Sequence, residues 1–271
     1  MIKTIKTMSK QEKERYTVPR KVQDVIPVRR IWPDGIFLVG NKFSKAYKFS
    51  DINYLVASRE DKESMFLTYS ELLNSLDSGA VTKITINNRR MNQANFETSI
   101  LMPMQGDFRD EYRGEYNQML LDKATGANGI MQEKYITISV VKKDIEEARA
   151  YFSRVGADLI SHFAALGSKC VELDATERLR ILHDFYRQGE ESEFVFNARE
   201  MMKRGHSFKD YICPDGIEKN SDYLKLGDKF CRVLFLKDYA SYIKDNMVTE
   251  LTDFNRNLMF SIDIVPVPTD E

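Results

Sequence analysis

Three consecutive stretches decide the fold: YITISVV (135–141), DIEEARAYFSRVGADLISHFAALG (144–167) and CVEL (170–173). In the first, Ile136, Ile138 and Val140 alternate with polar residues, the period-two signature of a strand with one buried face. In the second, Ile145, Ala148, Phe152, Val155, Leu159, Phe163 and Leu166 recur at helical spacing. Asp144 with Glu147 makes a capping-box-like start and Gly167 a stop. The third is a short strand, so the unit reads strand–helix–strand. Asp174 and Glu177 then repeat the cap signature and open a helix with Leu179, Leu182, Phe185 and Tyr186 on one face.

Working outward, the same rhythm appears upstream. A helix is predicted from about Arg59 to Leu76 with the stripe Met65, Tyr69, Leu72 and Leu76. A strand over Val81–Asn87 follows, then a helix capped by Asp107 carrying Phe108, Tyr112, Tyr116 and Met119. Before these, Gly35–Phe49 reads as a small antiparallel pair turning near Gly40-Asn41. Lys42, Lys45 and Lys48 are placed on one side of it. Downstream, 188–228 reads as a mobile insertion, with an acidic run at Glu190, Glu191 and Glu193 and a turn at Pro214-Asp215-Gly216. Strands are expected at Lys229–Leu236 and Leu258–Val267, with a helix within 239–253. The fold class is therefore α/β (α+β): a mixed sheet with packed helices, ferredoxin-like elements and a small antiparallel N-terminal strand pair.

The chain has 271 residues, 40 Lys+Arg against 41 Asp+Glu, and a net charge of −1. That balance argues against a globally basic nucleic-acid binder. Residues 1–30 nevertheless hold nine Lys/Arg and three acids, a local balance of +6, which leaves −7 for the rest. Residues 1–21 read as a basic flexible arm suited to anionic lipid, nucleic acid or an acidic protein face. Lys3, Lys6 and Lys10 in the arm, with Arg29, Arg30 and Trp32 just after it, are the candidate partner-binding residues, since Arg and Trp are favoured interface anchors. The cysteines Cys170, Cys213 and Cys231 are widely spaced and read as thiols in a reducing compartment. No apolar run reaches the length of a membrane span. The expectation is a cytoplasmic protein, peripheral if it meets a membrane at all.

Motifs that carry chemistry are missing or fail in detail. Gly35–Phe43 approaches a phosphate loop, but its Lys comes one residue late, no Ser or Thr follows, and Ile36–Val39 reads as a strand. There is no dinucleotide fingerprint, no HExxH and no GxSxG. His162, His183 and His206 are too scattered to suggest a metal site. Cys170 lies near His162 and His183 in sequence but begins a buried strand. No catalytic, cofactor-binding or metal-binding residue is assigned.

Three stretches carry a resemblance: DGIFLVGNKFSKAYKFSDINYLVASREDKESMF (34–66), KYITISVVKKDIEEARAYFSRVGADL (134–159) and VELDATERLRILHDFYR (171–187). Their order resembles the N-terminal region of conjugal-transfer ATPases of type IV secretion systems, the VirB/TrbE class, in the branch carried by conjugative elements of Gram-positive gut bacteria. The resemblance implies that 22–265 is the N-terminal domain of such a protein. Residues 266–271 would begin a linker to a RecA-like motor that is absent here. It implies a structural and docking role at the inner face of the membrane. The implied partners are membrane-embedded channel components, the protein's own motor domain and further copies of itself. ATP and Mg would bind only in the motor. An autonomous nucleic-acid-binding module is the alternative.

Overall fold

The computed structural model describes residues 19–54, 56–90, 101–126, 130–236, 238, 242 and 245–266. The N-terminal part is a short helix α1 (Val22–Val25) followed by β1 (Val28–Ile31), β2 (Phe37–Val39) and β3 (Lys42–Phe49). Helix α2 (Arg59–Asn74) leads to β4 (Ala80–Arg90), and α3 (Asp110–Gly126) lies between β4 and β5 (Ile130–Val140). Then come α4 (Ile145–Ala165), β6 (Cys170–Glu172) and α5 (Ala175–Tyr186).

Strand β5 pairs with β3 on one side and with β4 on the other, and β6 pairs with the far half of β3. The order β6-β3-β5-β4 is that of a split β-α-β unit, with β5 inserted between the two strands that flank α2. All described pairings are antiparallel. The expected α/β class and its ferredoxin-like elements are present. The N-terminal pair is also present, β2 meeting β3 through Val39↔Lys42 across the Gly40-Asn41 turn.

The stripe read for α4 is its buried face. Phe152 and Ala148 are fully buried, and Leu159 and Phe163 nearly so, against Tyr47, Ile136, Ile138 and Val140. The Asp144 carboxylate accepts from the Glu147 amide at 2.9 Å, so a first-turn donor finds its partner. Helix α5 starts with a complete capping box, Asp174 and Glu177 each accepting from the other's backbone amide. It covers the opposite face of the sheet, where Leu179 joins Ile26, Val28, Phe37 and Ala175 in a second core.

Arg178, in the first turn of α5, fastens that helix to the hairpin. It donates to the carbonyls of Gly35 and Ser44, each at 2.7 Å, and to the Ser44 hydroxyl at 3.2 Å. Its guanidinium stacks 4.0 Å from the Phe37 ring centroid. Burial pulls its pKa down, but a guanidinium in contact with three oxygens and a ring face keeps its proton.

Residues 188–228, read from sequence as an insertion, form two 3-10 turns (Glu191–Glu193 and Phe208–Tyr211), α6 (Ala198–Arg204), β7 (Ile217–Lys219) and β8 (Leu224–Leu226). They supply Phe194, Ile212 and Cys213 to the second core. A three-stranded meander is closed by β9 (Lys229–Cys231). The chain ends in α7 (Asp245–Thr252) and β10 (Leu258–Ile264), which pairs with the outer edge of β4.

Several expectations are corrected. Lys45 does not share a side with Lys42 and Lys48. Strand parity puts it on the α4 face, where it is buried and bonded to Glu172 at 2.6 Å. The strand expected over Lys229–Leu236 stops at Cys231 because its partner β8 is only three residues long. The last strand ends at Ile264, before Pro266. Helix α2 ends at Asn74, and its Tyr69 is exposed. Helix α3 starts at Asp110, a turn after the expected cap.

Substitutions test this packing at two places. Leu159→Ala should cost about 2–5 kcal/mol in chemical denaturation. Gly35 and Gly40 both have positive φ, but a Cβ on Gly35 would lie 2.0 Å from the Leu173 carbonyl oxygen, whereas nothing lies within 4 Å of one on Gly40. Gly40→Ala should therefore cost about 1 kcal/mol, and Gly35→Ala clearly more in the same titration.

Candidate interaction surfaces and a buried charge network

The sequence-predicted partner residues are not brought together. Lys3, Lys6 and Lys10 lie outside the described residues. Arg29 and Arg30 are exposed on β1, the short outer strand, where the register with β2 shifts. Trp32 has a different task. Its amide donates to the Ile36 carbonyl and its carbonyl accepts from the Gly35 amide, each at 3.0 Å, while its ring packs 5.8 Å from that of Phe43. It anchors the turn into β2 and is half-buried.

The sheet face beneath α5 holds a network that the sequence did not announce. Glu133 accepts from Lys48 at 2.6 Å, from Arg89 at 2.7 Å and from the Tyr135 hydroxyl at 2.7 Å. Arg89 also pairs with Asp184, which His183 contacts through Nδ1 at 3.3 Å. The Asp184 and His183 side chains are almost wholly buried. Parity explains the gathering: Lys48, Glu133, Tyr135 and Arg89 all point to the second face of the sheet. Burial pushes the Glu133 carboxyl up, but Lys48, Arg89 and Tyr135 together outweigh it and hold it below its ordinary value. Burial and the neighbouring Glu133 charge raise the Tyr135 phenol. Two cations meet two carboxylates, so the group is neutral and inward-looking. Its evident action is to clamp α5 onto β4 and β5.

A polar cleft between the end of α5 and the β7–β9 meander is similarly self-satisfied. Arg187 pairs with Glu190 at 2.6 Å and Asp215 at 3.2 Å, and Lys229 pairs with Asp228 at 2.7 Å. Among the described residues no His, Cys, Asp and Glu side chains gather in a metal-holding group. Cys170 is buried, and burial raises its thiol to about 11, away from nucleophilic use. No described helix is long and apolar enough to cross a membrane.

The surface that stands out is apolar. Residues 101–126 form a unit borne on the β4–β5 hairpin. Asn117 exchanges bonds with the Met102 backbone at 2.8 and 2.9 Å, and Asp110 accepts from the amides of Gln105 and Gly106 at 3.0 and 2.7 Å. Arg113 pairs with Asp107 and Asp110. These bonds fix the unit's shape internally, and none of its described side chains enters a buried cluster. The stripe foreseen in sequence thus faces outward: Phe108 is 82% exposed, Tyr112 69%, Tyr116 43% and Met119 42%. Helical spacing made the stripe legible, but periodicity does not say what covers it. Compared with protein-family models and with curated proteins, the chain matches none.

The charge network yields a double-mutant test. Removing one partner of a buried ion pair costs about 3–5 kcal/mol, so Asp184→Ala and Arg89→Ala should each destabilise strongly, and the double variant by much less than their sum. Since folding depresses the Glu133 carboxyl, its contribution is full above its ordinary value of 4.5 and fades as pH falls through the lower folded value. Glu133→Gln should therefore flatten the acid limb of the stability–pH curve.

Proposed function

We propose that this chain is a structural and interaction domain, the N-terminal part of a conjugative type IV secretion ATPase that docks its motor to the membrane channel. The observation supporting an interaction role is the outward stripe of Tyr112, Tyr116 and Met119 on α3, with Phe108 in the turn just before it. Aromatic residues and Met are enriched in protein interfaces, and contiguous exposed apolar surface marks them. The more specific motor reading rests on the resemblance of 34–66, 134–159 and 171–187. On that reading ATP and Mg bind a RecA-like domain outside these residues. The domain works at the inner face of the membrane, with the basic arm assisting recruitment.

The nucleic-acid alternative draws on Lys42, Lys45 and Lys48. Two of these are committed within the fold, Lys45 to Glu172 and Lys48 to Glu133. Single-stranded DNA binding that weakens steeply with salt would favour this alternative.

Tyr112→Ser combined with Tyr116→Ser tests the proposal. Both side chains are exposed, so the melting temperature should barely move. Conjugative transfer by an element carrying the variant should fall by about tenfold or more, as expected when interface anchors are lost. Unchanged transfer, at unchanged protein level, would remove this surface from the proposal.

A further inference from the structure

The two long edges of the main sheet are built differently. An exposed strand edge offers unpaired amides and carbonyls to any other strand, and proteins usually blunt it with short length, bulges, charges or proline. The β1 edge has such devices: four residues, a register shift between Val28 and Arg30, and two adjacent arginines. The β10 edge does not. It runs seven residues, Leu-Met-Phe-Ser-Ile-Asp-Ile, and pairs with β4 from Leu258↔Asn88 to Ile264↔Thr82 without a shift. Its one charge, Asp263, is answered within the sheet by Lys83 at 3.4 Å. Among the described residues no strand pairs with its outer side.

The sequence of β10 is complementary to itself. In an antiparallel pair, directly opposed residues lie on the same face. Of the registers that keep like faces together, the one centred on Ser261 pairs all seven residues. It sets Leu258 against Ile264 and Phe260 against Ile262 on the face shared with the main core. On the other face it sets Met259 against Asp263 and Ser261 against Ser261. No like charges meet, and Ile262, 37% exposed in the single chain, gains a Phe partner.

We propose that β10 is a self-association edge, pairing antiparallel with β10 of a second copy about a two-fold axis at Ser261, so that the sheet runs continuously through both copies. This goes beyond the docking role assigned to α3 and does not depend on it or on the motor reading.

Analytical ultracentrifugation of the full 271-residue chain is the test. The unmodified chain should form a dimer within the range of weak interfaces, at concentrations up to about 100 µM. Ser261→Lys places two lysines opposite each other at the axis and should weaken that dimer by about fivefold or more, as should Ser261→Asp. Mixing the two should restore a dimer that high salt weakens. Ser261 is exposed and its one side-chain bond within the chain is to the Thr85 hydroxyl at 3.3 Å, so thermal melts should fall only slightly, and equally for the Lys and Asp variants. Ser261→Cys is the conservative arm. It should yield an oxidant-dependent disulfide dimer through residue 261, because cross-strand partners can meet disulfide geometry. A monomeric parent chain, a dimer indifferent to Ser261→Lys, or a cross-link that forms equally without the Ser261→Cys substitution would each overturn the proposal.

Discussion

The rest of the structure depends on the placement of β5 between β3 and β4 with a helix pressed on each face. Ile136, Ile138 and Val140 are 1%, 0% and 5% exposed because α4 lays an unbroken apolar stripe over them. The reverse face is held differently. There Tyr135 and Glu133 meet Arg89 and Lys48, and α5 brings Asp184 to the same spot. One face is fixed by close packing and the other by directed charge. Hydrophobic burial is non-directional and tolerates sliding, whereas ion pairs and hydrogen bonds specify a position. The second layer therefore does more to set the position of α5 than its modest apolar face could. Arg178 does the same at the helix's other end, reading the carbonyls of Gly35 and Ser44.

That division leaves the surface chemistry free for other uses. Among the described residues, buried and half-buried charges are answered within the chain at Lys45–Glu172, Lys48–Glu133 and Arg187–Glu190. What the fold leaves unanswered is apolar: the α3 stripe, the run Val233–Phe235, and the flank of β10. An exposed apolar patch stabilises nothing in the isolated chain and invites aggregation. Its presence at three separate places, a helix, an irregular run and a strand edge, is easier to understand in a protein that works by contact.

Local order in the sequence carried the secondary structure well and the tertiary pairing poorly. The α4 stripe and the Asp174–Glu177 box lie within a few residues of one another, so spacing alone exposes them. Period counting failed at Lys45, since residues 42, 45 and 48 step by three and a strand alternates by two. It was silent about Arg89 and Asp184, which are 95 residues apart and meet only because the sheet order joins them. The one local hint was His183, four residues after the buried Leu179 and therefore on its face. The α3 stripe was visible in sequence, yet an amphipathic period is the same whether the apolar face meets a core or a partner.

The contrast between the two sheet edges carries the argument one step further. A split β-α-β sheet has no topological need for strands outside its four, yet here it is extended on both sides, by β1–β2 and by β10. On the first side the added strands finish the sheet, because a bulge and adjacent arginines oppose further pairing. On the other, β10 exchanges the edge of β4 for a new one that is regular and nearly uncharged. Adding a strand that leaves the edge as receptive as before does not protect the sheet. It relocates the receptive edge and gives it a sequence that fits its own reverse. Ser261 itself also serves the single sheet, its hydroxyl lying 3.3 Å from that of Thr85 on β4. What protecting the sheet does not explain, and pairing does, is that seven paired residues run along this edge with no register shift, no proline and no charge left unanswered.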